Sequence, residues 1–308
     1  MFLVADIGGT NTRLALADGT APLPDTIRSY LNDDFDGFDG ALSAFLSEMD
    51  HPDVTAICVA IAGPVQGEHG TLTNRDWGVH TGQLRHLSGA GTAVLMNDLA
   101  ALGYAIPHLG NDQVETLRDA QPGARRNGQS FVLGLGTGVN LAVSMSIGKG
   151  TYRVLEAEAG HAGLPAGIMD RLIDAIGAQA ATQFPSVEEL FAGRGLSALH
   201  ASLTGGPVVP GRDIIDGKDE TSQRAVSLFA SLAGDMLRDL ILLYLPLDGI
   251  YLNGGVFRGV LSAGKTPFLE ALAAPHMLSE IIDAPSIRLI TDDAAALRGC
   301  AARLAQEV

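Results

Sequence analysis

The chain has 308 residues, 46% of them apolar and 18% charged, which is the composition of a folded globular protein long enough for two domains. Its 35 acidic residues outnumber its 20 Lys and Arg residues, giving a net charge of -15, and no basic block occurs, so we expect neither nucleic acid nor an anionic membrane as a partner. Cys58 and Cys300 stand alone in apolar segments, and no secretion signal or transmembrane run occurs, so we expect reduced, buried thiols in a cytoplasmic protein.

The first third of the chain predicts an α/β unit with a mixed sheet. Two strands flank a Gly-rich turn in VADIGGTNTRLAL, and DTIRSYL supplies a third strand. Helical spacing of apolar residues predicts a helix over DGFDGALSAFLSEM. VTAICVAIAGP and GTAVLMN predict two buried strands separated by an irregular segment, and LAALGYAI predicts a short helix. Pro107 and Gly110 then mark a domain boundary.

The remainder predicts a second strand pair followed by a helix-rich region. The pair lies in SFVLGLGTGVNLAVSMSIG, and helical periodicity recurs in MDRLIDAIGAQAA, SVEELFA, GLSALHASL and the long DETSQRAVSLFASLAGDMLRDLILLYL. GIYLNGGV predicts a strand that runs into Gly-Gly, SIRLIT an edge strand, and DDAAALRGCAARLAQ a C-terminal helix.

The segment VADIGGTNTRLAL interrupts two apolar strands with an acid, two glycines and small polar residues. On this segment alone, a tight hairpin is favoured over the alternative, a loop whose backbone N–H groups face phosphates, with Asp6 beside a metal ion. GGTNTRLAL (8–16) and GTGVNLAV (136–143) align without gaps from Gly9 and Gly136. Turns alone have no reason to match in their polar residues, whereas two loops gripping one ligand do. Phosphate binding is therefore favoured, and a duplicated fold is predicted.

These motifs, in this order and along essentially the whole chain, resemble the bacterial glucokinases, sugar kinases of the actin–hexokinase superfamily. The resemblance implies an α/β fold of two domains, actin/hexokinase-like, that is a duplicated ribonuclease H-like architecture with the active site in the interdomain cleft. The expected domains are residues 1–107 with about 294–308, and residues 108–293. The resemblance also implies phosphorylation of glucose to glucose 6-phosphate with ATP and Mg²⁺, by a homodimer.

On the nucleotide side, the resemblance points to three glycine motifs: the family's Asp-x-Gly-Gly-Thr-Asn loop, its Gly-Thr-Gly turn, and an adenosine-contacting Gly-Gly after a later strand. The matching residues are Asp6, Gly8, Gly9, Thr10 and Asn11, then Gly136, Thr137 and Gly138, then Gly254 and Gly255. Asp6 is expected to act on Mg²⁺ through water, since the loops contain no Walker-type Lys. The family usually continues its second loop with Leu-Gly, and this chain departs from that pattern at Val139 and Asn140.

On the sugar side, the resemblance covers four segments. The first segment, MNDLAALGYAIP, resembles one whose Asn holds sugar hydroxyls and whose Asp is the sugar-bound catalytic base. The second and third, AEAGHAGLP and VEELFAGRG, resemble segments whose acids and His bind sugar hydroxyls. The fourth, LTNRDW, resembles a Thr-Asn-x-x-Trp stretch near the sugar. The matching residues are Asn97 and Asp98, Glu158 and His161, Glu188, and Asn74. Trp77 of the last stretch is expected near the cleft, with burial in the core of the first domain as the alternative.

The sugar-side residues also suit structural or metal-binding roles. Asn97-Asp98 precedes a helix and suits an N-cap. Glu158 and His161 could bind a metal, although no Cys or other His lies nearby to complete a site and the Cys-rich zinc motif of the related ROK kinases is absent, so hydroxyl recognition is favoured. Glu188 equally suits a helix start, where acids interact well with the dipole.

Three functional hypotheses follow. The first is a glucose kinase, with another hexose or an amino sugar as an alternative substrate and ADP or polyphosphate as alternative donors. The second is a non-catalytic sugar sensor on the same fold, which we expect to carry a DNA-binding head. The third is an actin- or chaperone-like ATPase, which would have no use for the sugar-side motifs. The kinase is favoured.

Overall fold

The computed structural model describes residues 1–275 and 283–307, which form two compact units. The first unit comprises Met1–Glu115, Ala142–Glu156 and Ile290–Val308, and the second comprises Thr116–Leu141 and Ala157–Leu289. The domains predicted from the sequence stay a prediction. The observed units differ from them chiefly in the segment 142–156, which belongs to the first unit.

The N-terminal part of the chain alternates strands and helices as predicted. The elements are β1 (Phe2–Ile7), β2 (Asn11–Asp18), β3 (Ala21–Pro22), β4 (Arg28–Leu31), α1 (Phe38–Glu48), β5 (Ala56–Ile61), β6 (Val65–Gln66), β7 (His69–Thr71), β8 (Gly78–His80), α2 (Thr81–Ser88), β9 (Thr92–Asn97) and α3 (Asp98–Ala105). The segment predicted to be irregular contains the small sheet β6-β7-β8 and helix α2. These strands have two or three residues each, too short for an alternating pattern to show in the sequence.

The first six-stranded sheet has the order β3-β2-β1-β5-β9, with β4 paired to β2. Strand β1 is antiparallel to β2 and parallel to β5, which is parallel to β9. Every residue of β5 is buried, as expected for a parallel strand covered on both faces. The apolar stripe of α1, including Phe38, Leu42 and Phe45, shares one core cluster with Leu3 and Ile7 of β1.

The later part of the chain contains the second sheet and most of the helices. Its elements are β10 (Val114–Arg118), β11 (Gln129–Leu135), β12 (Val139–Gly148), β13 (Thr151–Glu156), α4 (Ala166–Ile176), α5 (Ala178–Ala181), α6 (Val187–Phe191), α7 (Gly193–Thr204), α8 (Gly211–Asp216), α9 (Glu220–Tyr244), β14 (Gly249–Asn253), α10 (Gly255–Leu272), β15 (Ile287–Ile290) and α11 (Ala295–Leu304). None of the helices within the described residues is long and apolar enough to cross a membrane.

The second six-stranded sheet has the order β10-β15-β14-β11-β12-β13. In both sheets a hairpin with a glycine loop, β1-β2 or β11-β12, is followed on the side of its first strand by two parallel strands, β5-β9 or β14-β15. The matched strand orders confirm the duplicated fold predicted from the two Gly-Thr segments. The prediction that SIRLIT forms an edge strand is wrong, because β10, which the sequence patterns did not predict, pairs outside β15.

Two close contacts hold elements from the later part of the chain, α11 and β13, against helix α3 of the first unit. A Cβ on Gly299 of α11 would lie 1.7 Å from the carbonyl oxygen of Ala101, so this helix crosses α3 at backbone distance. A Cβ on Gly103 of α3 would lie 2.9 Å from a methyl carbon of Val154 in β13. Glycine is required at both positions because any side chain would force the elements apart. Helix α3 is therefore clamped between α11 and β13.

Candidate active site

In the first unit, three parallel strands end side by side where the predicted site begins. The register pairs Ile7 of β1 with Ile61 of β5, and Ile61 with Asn97 of β9. The residues that follow, including Gly8 and Asp98, therefore leave the same edge of the sheet. In open α/β sheets this carboxyl edge is where ligands bind.

The first glycine loop, Gly8–Thr10 between β1 and β2, is held by its carbonyl groups. Asn32 Nδ2 donates to the carbonyl of Gly8 at 2.8 Å and its backbone N–H to the carbonyl of Thr10 at 2.9 Å. Arg75 Nε donates to the carbonyl of Gly9 at 2.9 Å. Within residues 1–275 and 283–307, no acceptor contacts the N–H groups of Gly9 or Thr10. The loop thus presents backbone donors, which is the arrangement of an anion site.

Asn32 and Arg75, the two residues that hold this loop, were missed by reasoning from the sequence. Asn32 is fully buried and also accepts a hydrogen bond from the hydroxyl of Thr12 at 2.8 Å, although it lies in a polar run that looks like surface. Arg75 also pairs with Asp33. The one signal for Arg75 was its place next to Asn74 in LTNRDW. A loop-to-loop contact of this kind has no periodicity to reveal it.

Asp6 lies in β1, shortly before the glycine loop. Its side chain is 15% exposed, and Arg13 Nη1 lies 3.6 Å from Asp6 Oδ2. Burial raises the pKa of Asp6 to about 6, and the charge and hydrogen bond of Arg13 offset only part of that effect. A second cation near Asp6, in addition to Arg13, would therefore stabilise the ionised carboxylate. This property fits a role for Asp6 beside a metal-bound phosphate.

The LTNRDW segment folds against the same loop. A Cβ on Gly9 would lie 3.8 Å from Asn74 Nδ2, and Asn74 is exposed. Trp77 is only 7% exposed and belongs to the core cluster of the first unit, with the Arg75 guanidinium 5.7 Å from its ring centre. Trp77 is therefore a core residue, the alternative that the sequence left open.

Asn97 and Asp98 have different roles at the start of α3. Asn97 is the N-cap: its Oδ1 accepts from the N–H of Leu99 at 2.9 Å, and its Nδ2 donates to the carbonyl of Gly63 at 3.3 Å. Asp98 is the first helical residue, half-buried, and its Oδ1 also lies 2.9 Å from the Leu99 N–H. The capping role accounts for Asn97 but not for Asp98. The carboxylate of Asp98 lies at the positive end of the helix dipole, where negative charge is stabilised.

The second glycine loop, Gly136–Gly138, repeats this construction in the second unit. The carbonyl of Gly136 accepts from the N–H of Gly193 at 2.9 Å, that of Thr137 from Arg194 Nη1 at 3.1 Å, and that of Gly138 from the N–H of Gly136 at 2.9 Å. No acceptor in the described part of the chain contacts the N–H of Thr137 or Gly138. Among the described residues, both predicted phosphate loops thus have occupied carbonyls and two N–H groups that meet no acceptor.

Gly254 and Gly255 follow β14, the parallel neighbour of β11, and so lie at the same sheet edge as Gly136. Gly254 has φ of 105°, and a Cβ there would lie 2.2 Å from the carbonyl oxygen of Leu135, so only glycine fits. Gly255 begins α10 and lines a cavity of about 610 Å³ with Val256, Gly193 and Arg194. A cavity of this size can hold a nucleoside.

Glu188 lies in the first turn of α6 and contacts the strand that leaves the second loop. Its Oε2 accepts from the N–H of Val139 at 3.0 Å, and its Oε1 lies 2.7 Å from Arg194 Nη2. Burial alone would raise the pKa of Glu188, but hydrogen bonds from Arg194 and Val139 and the charges of Arg194 and His161 outweigh it and lower the pKa. Arg194, which the sequence motifs did not single out, therefore links this acid to the glycine loop.

Glu158 and His161 lie at the two ends of one short turn, and both are exposed. A Cβ on Gly160 between them would lie 2.2 Å from the carbonyl oxygen of Val139 and 3.2 Å from Glu188 Cβ, so the turn packs directly on β12 and α6. Within the second unit, the turn that carries Glu158 and His161 thus packs against the start of α6, where Glu188 lies. These are the three residues of this unit that the sequence predicted to bind sugar. No group of three or more His, Cys, Asp or Glu suited to a metal occurs within the described residues.

Comparisons with known proteins identify the family of the chain. The glucokinase family profile matches residues 3–307. The glucokinase of Xanthomonas euvesicatoria pv. vesicatoria is 32% identical over 280 residues, 85% of this chain and 82% of that protein. The glucokinase of Cupriavidus pinatubonensis is 29% identical over 334 residues, 98% of this chain and 92% of that protein.

Solved structures give the same result. The crystal structure of glucokinase from an Antarctic psychrotroph superposes with a TM-score of 0.85 at 27% identity, covering 99% of this chain and 98% of that one. A ROK family glucokinase from Streptomyces griseus, in complex with glucose and AMPPNP, shares the fold, with a TM-score of 0.61 at 20% identity and coverage of 100% and 99%. The predicted actin/hexokinase-like fold is confirmed, and the chain belongs to the glucokinase family.

Proposed function

We propose that the protein transfers the γ-phosphoryl group of MgATP to the 6-hydroxyl of glucose, with Asp98 as general base. Beyond family membership, one observation carries the proposal: among the described residues, every carbonyl of both glycine loops accepts a hydrogen bond, while two N–H groups in each loop meet no acceptor. Two such loops suit a chain of phosphates, whose charge is spread over several oxygens. Most backbone carbonyls in folded proteins are paired, so the N–H groups without an acceptor are the part of this observation that points to an anionic ligand.

In the proposed reaction, the sugar O6–phosphorus bond forms as the bond from phosphorus to the β,γ-bridging oxygen breaks. The carboxylate of Asp98 accepts the hydroxyl proton as the new bond forms. Asn97 caps α3 and so fixes the backbone that carries Asp98. Asn74, Asn97, Glu158, His161 and Glu188 are proposed to bind the sugar hydroxyls. Their carboxylate, amide and imidazole groups offer the acceptors and donors that hydroxyls need.

The residues present fit Mg²⁺ held mainly by the nucleotide. Asp6 is the acid beside the first loop, and its raised pKa of about 6 reports a buried carboxyl that a cation would stabilise. We propose that Asp6 acts on the ion through water, because Mg²⁺ keeps several waters and binds few protein carboxylates. When bound, the ion neutralises charge on the phosphates during transfer.

The cavity beside Gly255 supports a nucleoside-bearing donor over polyphosphate. It opens between the start of α10 and helices α7 and α8, next to Arg194, which holds the second phosphate loop. A linear polyphosphate would leave this space without an occupant. We also propose that the protein is cytoplasmic, which its two free, buried cysteines support, and that it forms a homodimer, which light scattering after size-exclusion chromatography tests.

The proposal is tested by a panel of sugars crossed with phosphoryl donors, with ADP release and sugar phosphate measured in the same samples. The expected result is that glucose with MgATP has the highest kcat/KM, and that ADP and sugar phosphate form in equal amounts. Preference for another hexose or an amino sugar would correct the substrate. Nucleotide hydrolysis without sugar phosphate, or sugar binding without turnover, would overturn the kinase assignment in favour of an ATPase or a sensor.

A further inference from the structure

We propose that Asn140 is a positioning residue that holds the carboxylate of Glu158 for sugar binding. The residue stands where the family usually has glycine, and no role followed from the sequence for it. The inference rests on the proposed sugar-binding role of Glu158, and the experiment below separates the two. All the groups involved belong to the second unit.

The side-chain amide of Asn140 makes contacts on both of its polar atoms. Its Oδ1 accepts from the N–H of Leu141 at 2.8 Å and from the N–H of Ala159 at 3.1 Å. Its Nδ2 donates to Glu158 Oε2 at 3.3 Å. The orientation of the amide follows from chemistry, since two backbone donors face one atom and a carboxylate faces the other. Asn140 therefore holds both the backbone and the side chain of the Glu158 turn.

The turn that carries Glu158 has few other attachments to fix its side chain. Gly160 packs its backbone on Val139, and the N–H of His161 donates to the Glu158 carbonyl at 3.1 Å. These contacts fix the main chain, but the exposed carboxylate of Glu158 has several rotatable bonds. Asn140 restricts them before sugar arrives, which lowers the ordering cost of binding. A glycine at this position would supply neither the donor nor the acceptor.

The choice of Asn over Asp at this position can be tested directly. In Asn140→Asp, one carboxylate oxygen can still accept from the Ala159 N–H, but the donor to Glu158 is replaced by a like charge. The backbone attachment is kept, while the side-chain attachment becomes repulsive. Asn140→Ala removes both, and Glu158→Gln removes the carboxylate charge. When Asn140→Asp and Glu158→Gln are combined, the introduced glutamine amide can donate to the introduced aspartate carboxylate, which restores the hydrogen bond with its polarity reversed.

The experiment measures glucose affinity by calorimetry without nucleotide, together with kcat and both KM values. We expect Asn140→Asp to weaken glucose binding roughly five- to tenfold, with kcat and the KM for MgATP changed less than about twofold. Asn140→Ala should weaken it by a similar factor. The double variant should bind glucose no worse than Glu158→Gln alone.

The outcomes distinguish the inference from the function on which it rests. If Glu158→Gln leaves glucose affinity unchanged, the sugar-binding role of Glu158 fails. If Glu158→Gln weakens binding but both Asn140 variants, shown to be folded by circular dichroism, bind glucose normally, the positioning role of Asn140 is overturned. An equal loss for glucose and MgATP in Asn140→Asp would also overturn it, because Asn140 would then act through the adjacent phosphate loop.

Discussion

The N–H of Val139 donates to Glu188 Oε2 at 3.0 Å, so an acid that we propose to bind sugar contacts the first residue after the second glycine loop. The other carboxylate oxygen is bound by Arg194, which also holds the carbonyl of Thr137 within that loop. Glu188 is thus an acid at a helix start, the structural role that its sequence position allowed, and it also supports the loop. Its contact with sugar stays a prediction.

We therefore expect Glu188→Gln to affect both substrates. The amide loses the charge that pairs with Arg194, so the KM for glucose and the KM for MgATP should each rise about tenfold, the loss expected for a charge-assisted hydrogen bond. Glu189→Gln is the matched control, since Glu189 also pairs with Arg194 but is 42% exposed. The control should change either KM by less than about threefold. A rise for glucose alone would show that the pairing of Glu188 with Arg194 has no effect on the nucleotide.

Packing at Gly299 should control the position of Asp98 through helix α3. Because a Cβ there would lie 1.7 Å from the Ala101 carbonyl, Gly299→Ala should lower the free energy of unfolding by about 1–3 kcal/mol or more. It should also lower kcat, since α3 begins with Asp98. Gly167→Ala is the control: Gly167 is exposed in the first turn of α4 with nothing within 4 Å of a Cβ, so alanine there should leave the free energy of unfolding unchanged or raise it by up to about 0.5–1 kcal/mol. Urea unfolding of both variants checks the pair, and equal stabilities would contradict the backbone contact.

The raised pKa of Asp6 predicts a pH dependence of stability. Because the folded-state pKa is about 6 and the ordinary value is 3.8, the folded protein binds this proton more tightly than the unfolded chain does. The resulting stabilisation is complete below about pH 4 and is lost as the pH rises through about 6. Asp6→Asn removes this dependence, so its stability relative to the parent should increase from about pH 4 to about pH 7 in urea unfolding. A constant difference across this range would show that Asp6 titrates normally.

The same group should affect nucleotide binding in the opposite direction. Ionised Asp6 is the form proposed to act on Mg²⁺, so MgADP affinity, measured by calorimetry, should fall as the pH drops below about 6. In Asp6→Asn the affinity should be weaker at neutral pH and nearly independent of pH. An unchanged affinity in the variant would remove Asp6 from the metal side of the site.

Sequence patterns predicted the strands and helices that obey a clear period, and they failed where packing replaces pattern. The buried strand β5 and the long α9 were predicted because their apolar residues are continuous or helical in spacing. Helix α10 was missed because it contains Gly259, Gly264 and Pro267, and its backbone is non-helical at Gly264. Such a helix forms because its apolar face is buried against α9 and β11, which is tertiary information.

The candidate site divides in the same way. The glycine loops and the Asn97-Asp98 and Glu158-His161 pairs could be identified because they are contiguous motifs. Asn32, Arg75 and Arg194 could not, because they reach the loops from segments distant in sequence and act on backbone carbonyls. A donor to a carbonyl has no required residue type, so no motif marks it.

The central claim, phosphoryl transfer with Asp98 as base, is tested most directly by turnover of glucose and MgATP in the parent protein and in Asp98→Asn, with the products followed by ³¹P NMR. Asparagine is nearly isosteric with aspartate and keeps an oxygen that can accept from Leu99, so α3 should stay in place. The predicted result is glucose 6-phosphate from the parent and a loss in kcat of about 10²-fold or more in the variant, with glucose affinity within a few-fold. Near-normal turnover in a folded Asp98→Asn protein would contradict the account.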